Sequence, residues 1–387
     1  MSDIIALKDL CEIDITDGTH KTPTYSNEGF IFLSSKNVTS GKIDWEDIMY
    51  IPQWLHDELY KRIAPKKDDI LLAKNGTTGV AAIVDKDEIF DIYVSLALIR
   101  PDKRKILPRY LLHAINSEPS KKFFDSHLKG IGVPNLHLTH IRETPINVPS
   151  FAQQQYIIDI LDKLESNISL RKQQLSKLDE LVKSRFIELF GDNVPTAKLG
   201  DVCRMINGDR GKNYPSGDDF VENGVPFVNA GHLQNRKVDF CDMNYITEEK
   251  FNLLSQGKMQ AGDILYCLRG SLGKHGLVDF ERGAVASSLV ILRCNQEQVL
   301  PQFLLYALET PEIELQLKAA NNGSSQPNLS AASVKAYDIK LPTIEQQKQF
   351  VSFVEQTDKS KFEIQKSLEK LETLKKALMQ KYFGANI

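Results

Sequence analysis

Two short segments combine glycines with a cation and small polar side chains: Lys74-Asn75-Gly76-Thr77-Thr78-Gly79 and Arg269-Gly270-Ser271-Leu272-Gly273-Lys274. Glycine lets a backbone come close to a phosphate and offer its N–H groups, while neighbouring cations and hydroxyls add charge and hydrogen bonds. At a base edge, Asn suits adenine and Arg or Lys suits guanine. Lys74, Asn75, Thr77, Thr78, Arg269, Ser271 and Lys274 are therefore candidate nucleic-acid contacts. A tight surface turn beside a strand end is the plain structural alternative. Neither segment is a nucleotide-hydrolysing loop. That chemistry needs GxxxxGK followed by Ser or Thr, but His275 follows Lys274, and the Gly76–Gly79 stretch has no lysine.

A second pair of polar, glycine-containing loops lies earlier. Thr16–Lys21 answers Asn207–Lys212 and contributes Thr19, His20, Lys21, Arg210 and Lys212 as candidates against a solvated hairpin. A third pair follows a helix-like run, Lys129–Asn135 answering Asn322–Asn328. There Lys129, Ser324 and Ser325 are the contact candidates, and Asn135 and Asn328 are expected to cap the next turn. Catalytic signatures are missing. His137 and His140 have no HExxH frame or cysteine partner, so no metal site is expected among the eight histidines. Asp69 is answered by Asp263, but Asp68 is answered by Gly262, so no carboxylate pair is kept for a metal. There is no G-x-S-x-G elbow and no Asn/Asp-Pro-Pro-aromatic motif. The chain is expected to select a site without modifying it.

Composition sets the class. Hydrophobic residues make up 42% of 387 and charged residues 26%, which suits two or three globular domains. The five cysteines are scattered without a CxxC pair, as in a reducing compartment. The N-terminus carries charges where a secretory segment would be apolar, and no run approaches membrane-spanning length. A cytoplasmic location without membrane contact is expected. The net charge of −3 argues against indiscriminate coating of nucleic acid but not against a locally basic reading face.

These loops are positioned by a duplication with an offset of about 193 residues. Leu7-Lys8-Asp9-Leu10-Cys11 answers Leu199-Gly200-Asp201-Val202-Cys203, and Asp69-Ile70-Leu71 answers Asp263-Ile264-Leu265. Pro134-Asn135-Leu136 answers Pro327-Asn328-Leu329, and Phe190-Gly191 answers Phe383-Gly384. Poorer agreement near 35–65 and 205–260 marks insertions. Each copy opens with short apolar runs broken by Gly, Pro, Asn and Asp, read as strands at Phe30–Leu33, Ile70–Ala73, Val94–Ile99, Val225–Asn229, Asp263–Cys267 and Leu289–Leu292.

Each copy closes with a proline-free stretch of heptad character, able to run near 40 residues. The first seam is Ile157, Leu161, Leu164, Ile168, Arg171, Leu175, Leu178 and Val182. The second is Phe350, Val354, Ile364, Leu368, Leu371 and Leu378, with Arg171 answering Ile364. The fold class is therefore α+β: two mixed strand-rich domains separated by two long antiparallel helices forming a coiled coil, with an internal pseudo-twofold repeat. The expected divisions are a first recognition domain at 1–149, a central helical region at 150–191, a second recognition domain at 192–342 and a distal helical region at 343–387. Two unlike heads at a set separation make a caliper for duplex DNA, whose same-face grooves recur every ~34 Å.

The chain resembles the specificity subunits of type I restriction-modification enzymes over nearly its whole length. The resemblance rests on Leu7–Leu10, on Asp17-Gly18-Thr19-His20 with Pro23, on Gly130–Leu136, and on the domain ends Ile146–Gln155 and Ile339–Gln347. It implies that each domain reads one half of a split, asymmetric target in double-stranded DNA. It implies that the helices set the spacer and dock modification subunits, two of them, near Gln153, Gln154, Gln346 and Gln347, where plain helix solubility is an equal reading. Those partners would carry S-adenosylmethionine and methylate adenine, while restriction subunits would use ATP and Mg. No cofactor is expected on this chain. A specificity protein serving a fused methyltransferase-nuclease is one alternative, and a protein-binding scaffold is another.

Overall fold

The computed structural model describes residues 3–128, 134–191, 194–321 and 327–384. It divides into two compact units, Met1–Gln173 with Gln365–Ile387, and Gln174–Ile364. Each unit holds one strand-rich domain and half of each of two 40-residue helices, Phe151–Phe190 and Ile344–Phe383.

The first domain is organised by an antiparallel sheet in the order Thr16–Asp17, Leu96–Ile99, Ile70–Ala73, Ala81–Ile83. Strand Ile70–Ala73 is apolar throughout because both of its faces are covered. Ile70 and Leu72 pack with helix Pro108–Ile115, whereas Leu71 and Ala73 pack with Leu33, Phe90 and Ile92. A second sheet pairs Phe30–Leu33 antiparallel to Met49–Ile51 and parallel to Phe90–Ile92. The two ends of this domain are drawn together by strands Asp3–Ala6 and Pro145–Val148.

The second domain repeats this plan. Cys203–Asn207, Leu289–Cys294, Ile264–Cys267 and His275–Leu277 form the corresponding antiparallel order. Ile264 and Tyr266 face one core cluster, and Leu265 and Cys267 the other. The repeated aspartates have a structural task. Asp69 is held bidentately by Arg100 and accepts the Lys66 N–H; Asp263 is held by Arg293 and accepts the Gln260 N–H. The domains diverge where the sequence match is weakest. In the second, the hairpin Leu233–Gln234 and Arg236–Val238 extends the sheet.

Sheet register also corrects the early loops. Aligned by sequence, Thr16 answers Asn207. In the sheets, Asp17 lies opposite Ala97 and Asn207 opposite Val290, with Ala97 facing Leu72 and Val290 facing Tyr266. Asp17 is thus the equivalent of Asn207, and His20 of Arg210. A strand cannot slip by one residue without turning its core face outward, whereas the loop beyond it absorbs an insertion freely.

The long helices pair antiparallel. In the first unit, Ile157, Ile158 and Leu161 share a core with Leu378 and Phe383, and Glu165 meets Lys375 at 2.7 Å. In the second, Val182, Phe186 and Phe190 pack with Phe350 and Val354, and Asp179 meets Lys361 at 2.6 Å. Of the seam residues, Ile157, Leu161, Leu164, Val182, Phe350, Val354 and Leu368 are buried. Ile168, Arg171, Leu175, Leu178, Ile364, Leu371 and Leu378 are half-buried. The seam is therefore driest where each domain packs on it. No helix among the described residues is long and apolar enough to cross a membrane.

Candidate nucleic-acid interface

In the second domain, three segments meet at the end of strand Ile264–Cys267. Leu268 donates its N–H to the Ser288 carbonyl, and its own carbonyl accepts from Leu329 at 2.9 Å. Gly270 donates to the Pro327 carbonyl, so Arg269 and Asn328 form a bridge between the two segments. The third segment is Asn207–Arg210. Gly208 sits so close to the neighbouring strand that a Cβ would lie 2.5 Å from the Ala286 carbonyl oxygen, which admits only glycine. Together they enclose a cleft of about 360 Å³, lined chiefly by Asn207, Arg210, Gln256, Leu268, Arg269 and Asn328. Gln256 reaches the Gly208 carbonyl at 3.4 Å, and Arg210 donates to the Ser287 carbonyl. Asp209 is buried beneath. Hydrogen bonds from the backbone of Gly211 and from Ser255 hold its carboxyl below the usual carboxylate range against the cost of burial.

The first domain places the same three segments together. Lys74 accepts from the Leu136 N–H at 2.8 Å, Gly76 donates to Pro134, and Asn75 bridges Asn135. At the equivalent of Asn207 stands Asp17, buried and surrounded by basic side chains: Lys74 at 3.1 Å, His20 at 3.2 Å and Arg62 at 3.6 Å. Arg62 reaches the Gly18 carbonyl at 3.4 Å, as Gln256 reaches Gly208. The scaffold is thus shared, while its side chains differ from one head to the other: Asp17 and Asn207, His20 and Arg210, Arg62 and Gln256, Lys74 and Leu268, Asn75 and Arg269.

The structure redistributes the sequence candidates. His20, Lys21, Thr77, Arg210, Lys212, Arg269 and Ser271 are exposed, and Asn75, Thr78 and Lys274 are half-buried. Lys74 is not a surface cation. It is 6% exposed and spent on Asp17, because the strand end turns it inward. Thr19 is buried as well, with its hydroxyl accepting from the Lys21 N–H. Lys129, Ser324 and Ser325 lie outside the described residues. Asn135 and Asn328 do not cap the next helices. Those N-caps are His137 and Ser330, and Ser330 accepts from the Ser333 N–H.

The glutamines offered for docking divide by burial. Gln154 is buried and brackets the Leu107 N–H and Pro149 carbonyl; Gln347 does the same for Leu300 and Pro342. Gln153 and Gln346 remain exposed but bond to Ser150 and Thr343 at the helix starts. Sequence reasoning missed Arg62 and Gln256, which fall in the poorly matched segments. Each stands seven residues before the repeated aspartate, Asp69 or Asp263, and that common spacing would have revealed them.

The described residues contain one cluster with metal-ligand chemistry, His113, Asp162 and Glu165. It serves as a joint. Asp162 takes hydrogen bonds from His113 at 2.9 Å and Arg109 at 2.7 Å, while Lys375 neutralises Glu165. Burial alone would raise the Asp162 carboxyl, but the His113 and Arg109 bonds override it and bring it to about 2.

Two copies of one strand-rich domain, each gathering polar loops at a strand end and each packed on a shared helix pair, define a duplicated recognition protein. The family model described as the type I restriction modification DNA specificity domain matches residues 2–180 and again 192–376, and the chain belongs to that family. It is a sequence-specific DNA-binding specificity subunit that directs methylation and restriction by partner methyltransferase and restriction subunits, and it is non-catalytic itself. The chain is similar to the MjaVIII specificity subunit of Methanocaldococcus jannaschii, with 24% identity over 82% of this chain and 79% of the relative. It is similar to the EcoKI specificity subunit of Escherichia coli, with 21% identity over 92% and 82%. The fold matches the type I S subunit of M. genitalium, with a TM-score of 0.58 at 14% identity over 98% of this chain and 96% of that one. A chain solved in a study of type I R-M complex assembly and conformational transition matches with a TM-score of 0.60 at 19% identity over 99% and 97%.

Proposed function

We propose that this chain reads an asymmetric, two-part target in double-stranded DNA, one half-site per domain. The heads would be residues 1–149 and 192–342, with the helical regions 150–191 and 343–387 setting the spacing. One observation carries this reading: the same three-segment scaffold occurs twice, with different side chains at the five equivalent positions named above. A scaffold repeated for symmetry alone would have no need of that difference. Two modification subunits would dock on the helical regions in the cytoplasm, bind S-adenosylmethionine and methylate adenine. Restriction subunits would consume ATP with Mg. Base reading and phosphate contact are assigned to the loop residues that reach the surface wholly or in part, Asn75, Thr77, Arg210, Arg269 and Ser271 among them.

The test is selection from a pool of random duplexes by the chain assembled with its methyltransferase subunits. Enrichment of two different short motifs at one fixed spacing is expected. A folded, assembled complex that enriches a single motif, or none, overturns the reading.

A further inference from the structure

Building on that reading, we propose that one equivalent position, Asn75 in the first domain and Arg269 in the second, is the principal base-reading position of each head. Asn75 selects adenine and Arg269 selects guanine.

Four observations converge on it. First, the position is held rigidly. The residue before it exchanges backbone hydrogen bonds with a neighbouring strand end and with Leu136 or Leu329, and the residue after it donates to Pro134 or Pro327. A reading group must be kept within a fraction of an ångström by its support, and this two-sided clamp provides that. Second, the approach is open. Gly76 and Gly270 adopt φ of +76° and +79°, and a Cβ at either would meet nothing within 4 Å. The turn projects from the surface with room for a groove wall.

Third, several neighbouring polar groups already have partners. Arg62 and Gln256 are tied to the Gly18 and Gly208 carbonyls, Arg210 to Ser287, and Lys74 to Asp17. Arg269 is exposed, and no carboxylate among the described residues pairs with it. Asn75 is half-buried, and its Oδ1 is buried with no hydrogen-bond partner among the described residues, so the carboxamide can turn outward to a base without giving up an Oδ1 hydrogen bond. An unused acceptor beside its own amide donor is the pattern that adenine N6 and N7 complete, and an unpaired guanidinium fork is the pattern that guanine O6 and N7 complete. Fourth, the fold at this position is the same in both heads while the side chain is not. Arg62 and Gln256 differ too, but each is tied to a loop carbonyl and is a positioning residue, fixing the glycine loop beside the reading turn.

The test uses the assembled methyltransferase complex and the random-duplex selection, comparing Arg269→Asn, Asn75→Arg and Arg269→Lys. Arg269→Asn is expected to change one guanine to adenine in the second domain's half-site, with a preference shift of about tenfold. The other half-site and the spacing stay as they were, which shows within the same selection that the variant is folded and assembled. Asn75→Arg should make the reverse change in the first domain's half-site. Arg269→Lys keeps the cation but loses the fork, and should weaken the guanine preference.

Uniform weakening on every sequence, with the salt dependence falling by about one ion and Arg269→Lys behaving as wild type, identifies a phosphate contact and overturns the proposal. Unchanged motifs and affinity in all three variants overturn it too. Failure of the bipartite reading itself would show differently, as a wild-type complex that never enriches two motifs.

Discussion

Lys74 and Asp17 show how one side chain can be mistaken for a ligand contact when only its neighbours in sequence are seen. Both are buried, and the second domain replaces them with Leu268 and Asn207, an uncharged pair in the same frame. Removing one member of a buried ion pair strands the other charge, whereas replacing both does not. Lys74→Leu is therefore expected to cost about 3 kcal/mol, softened by the remaining Arg62. Adding Asp17→Asn should bring stability back to within about 1 kcal/mol of the parent. A double-mutant cycle by urea denaturation measures this, and additive losses would contradict the pairing. Gly18 is constrained in another way. A Cβ there would lie 1.9 Å from the Ile92 carbonyl oxygen. Gly18→Ala should therefore force the loop off its neighbouring strand, lowering the melting temperature and weakening DNA binding by the first domain's half-site alone.

The joints between domains and helices are built from paired polar side chains. Gln154 and Gln347 each satisfy a backbone donor and a carbonyl in the interior. Gln347→Leu leaves the Leu300 N–H and the Gln298 and Pro342 carbonyls without that partner, and should cost about 2–3 kcal/mol. Asp162 makes one joint sensitive to acid. Its carboxyl is lowered from 3.8 to about 2, so its contribution is fully present above pH ~4 and is lost as the pH falls toward 2. Because the group is partly exposed, that contribution is about 1 kcal/mol. Asp162→Asn should lower stability at neutral pH and flatten the stability curve between pH 4 and 2. Thermal melts across that range would show it, and a variant curve as steep as the parent's would contradict it.

The proposed ruler makes a prediction about the assembled protein. The ion pairs Glu165–Lys375 and Asp179–Lys361 set the antiparallel register, which puts Leu175–Leu178 opposite the turn around Ile364. Seven residues inserted between Leu175 and Leu178, matched by seven between Ile364 and Leu368, keep the heptad phase and lengthen both helices by about 10 Å. The selected spacer should grow by about three base pairs at 3.4 Å each, with both half-site motifs retained. An unchanged spacer in an assembled complex would remove the helices from the role of ruler.

Much of the plan was legible in the chain alone, since duplication, heptad spacing and the position of prolines are properties of order along it. The 40-residue helices, the strands around Ile70 and Ile264, and the kinship of the two glycine loops all follow from local periodicity, which survives without neighbours. Which of the loop side chains reach the surface did not follow. Lys74 and Arg269 lie one step apart in the repeat, yet one turns into the core and the other out, because a strand end alternates its faces and only the packed sheet says which face is buried. Arg62 and Gln256 enter the same site from segments too altered to align. Their shared spacing of seven residues before Asp69 and Asp263 marks them as equivalent, but only the fold shows the loop carbonyl that each one holds.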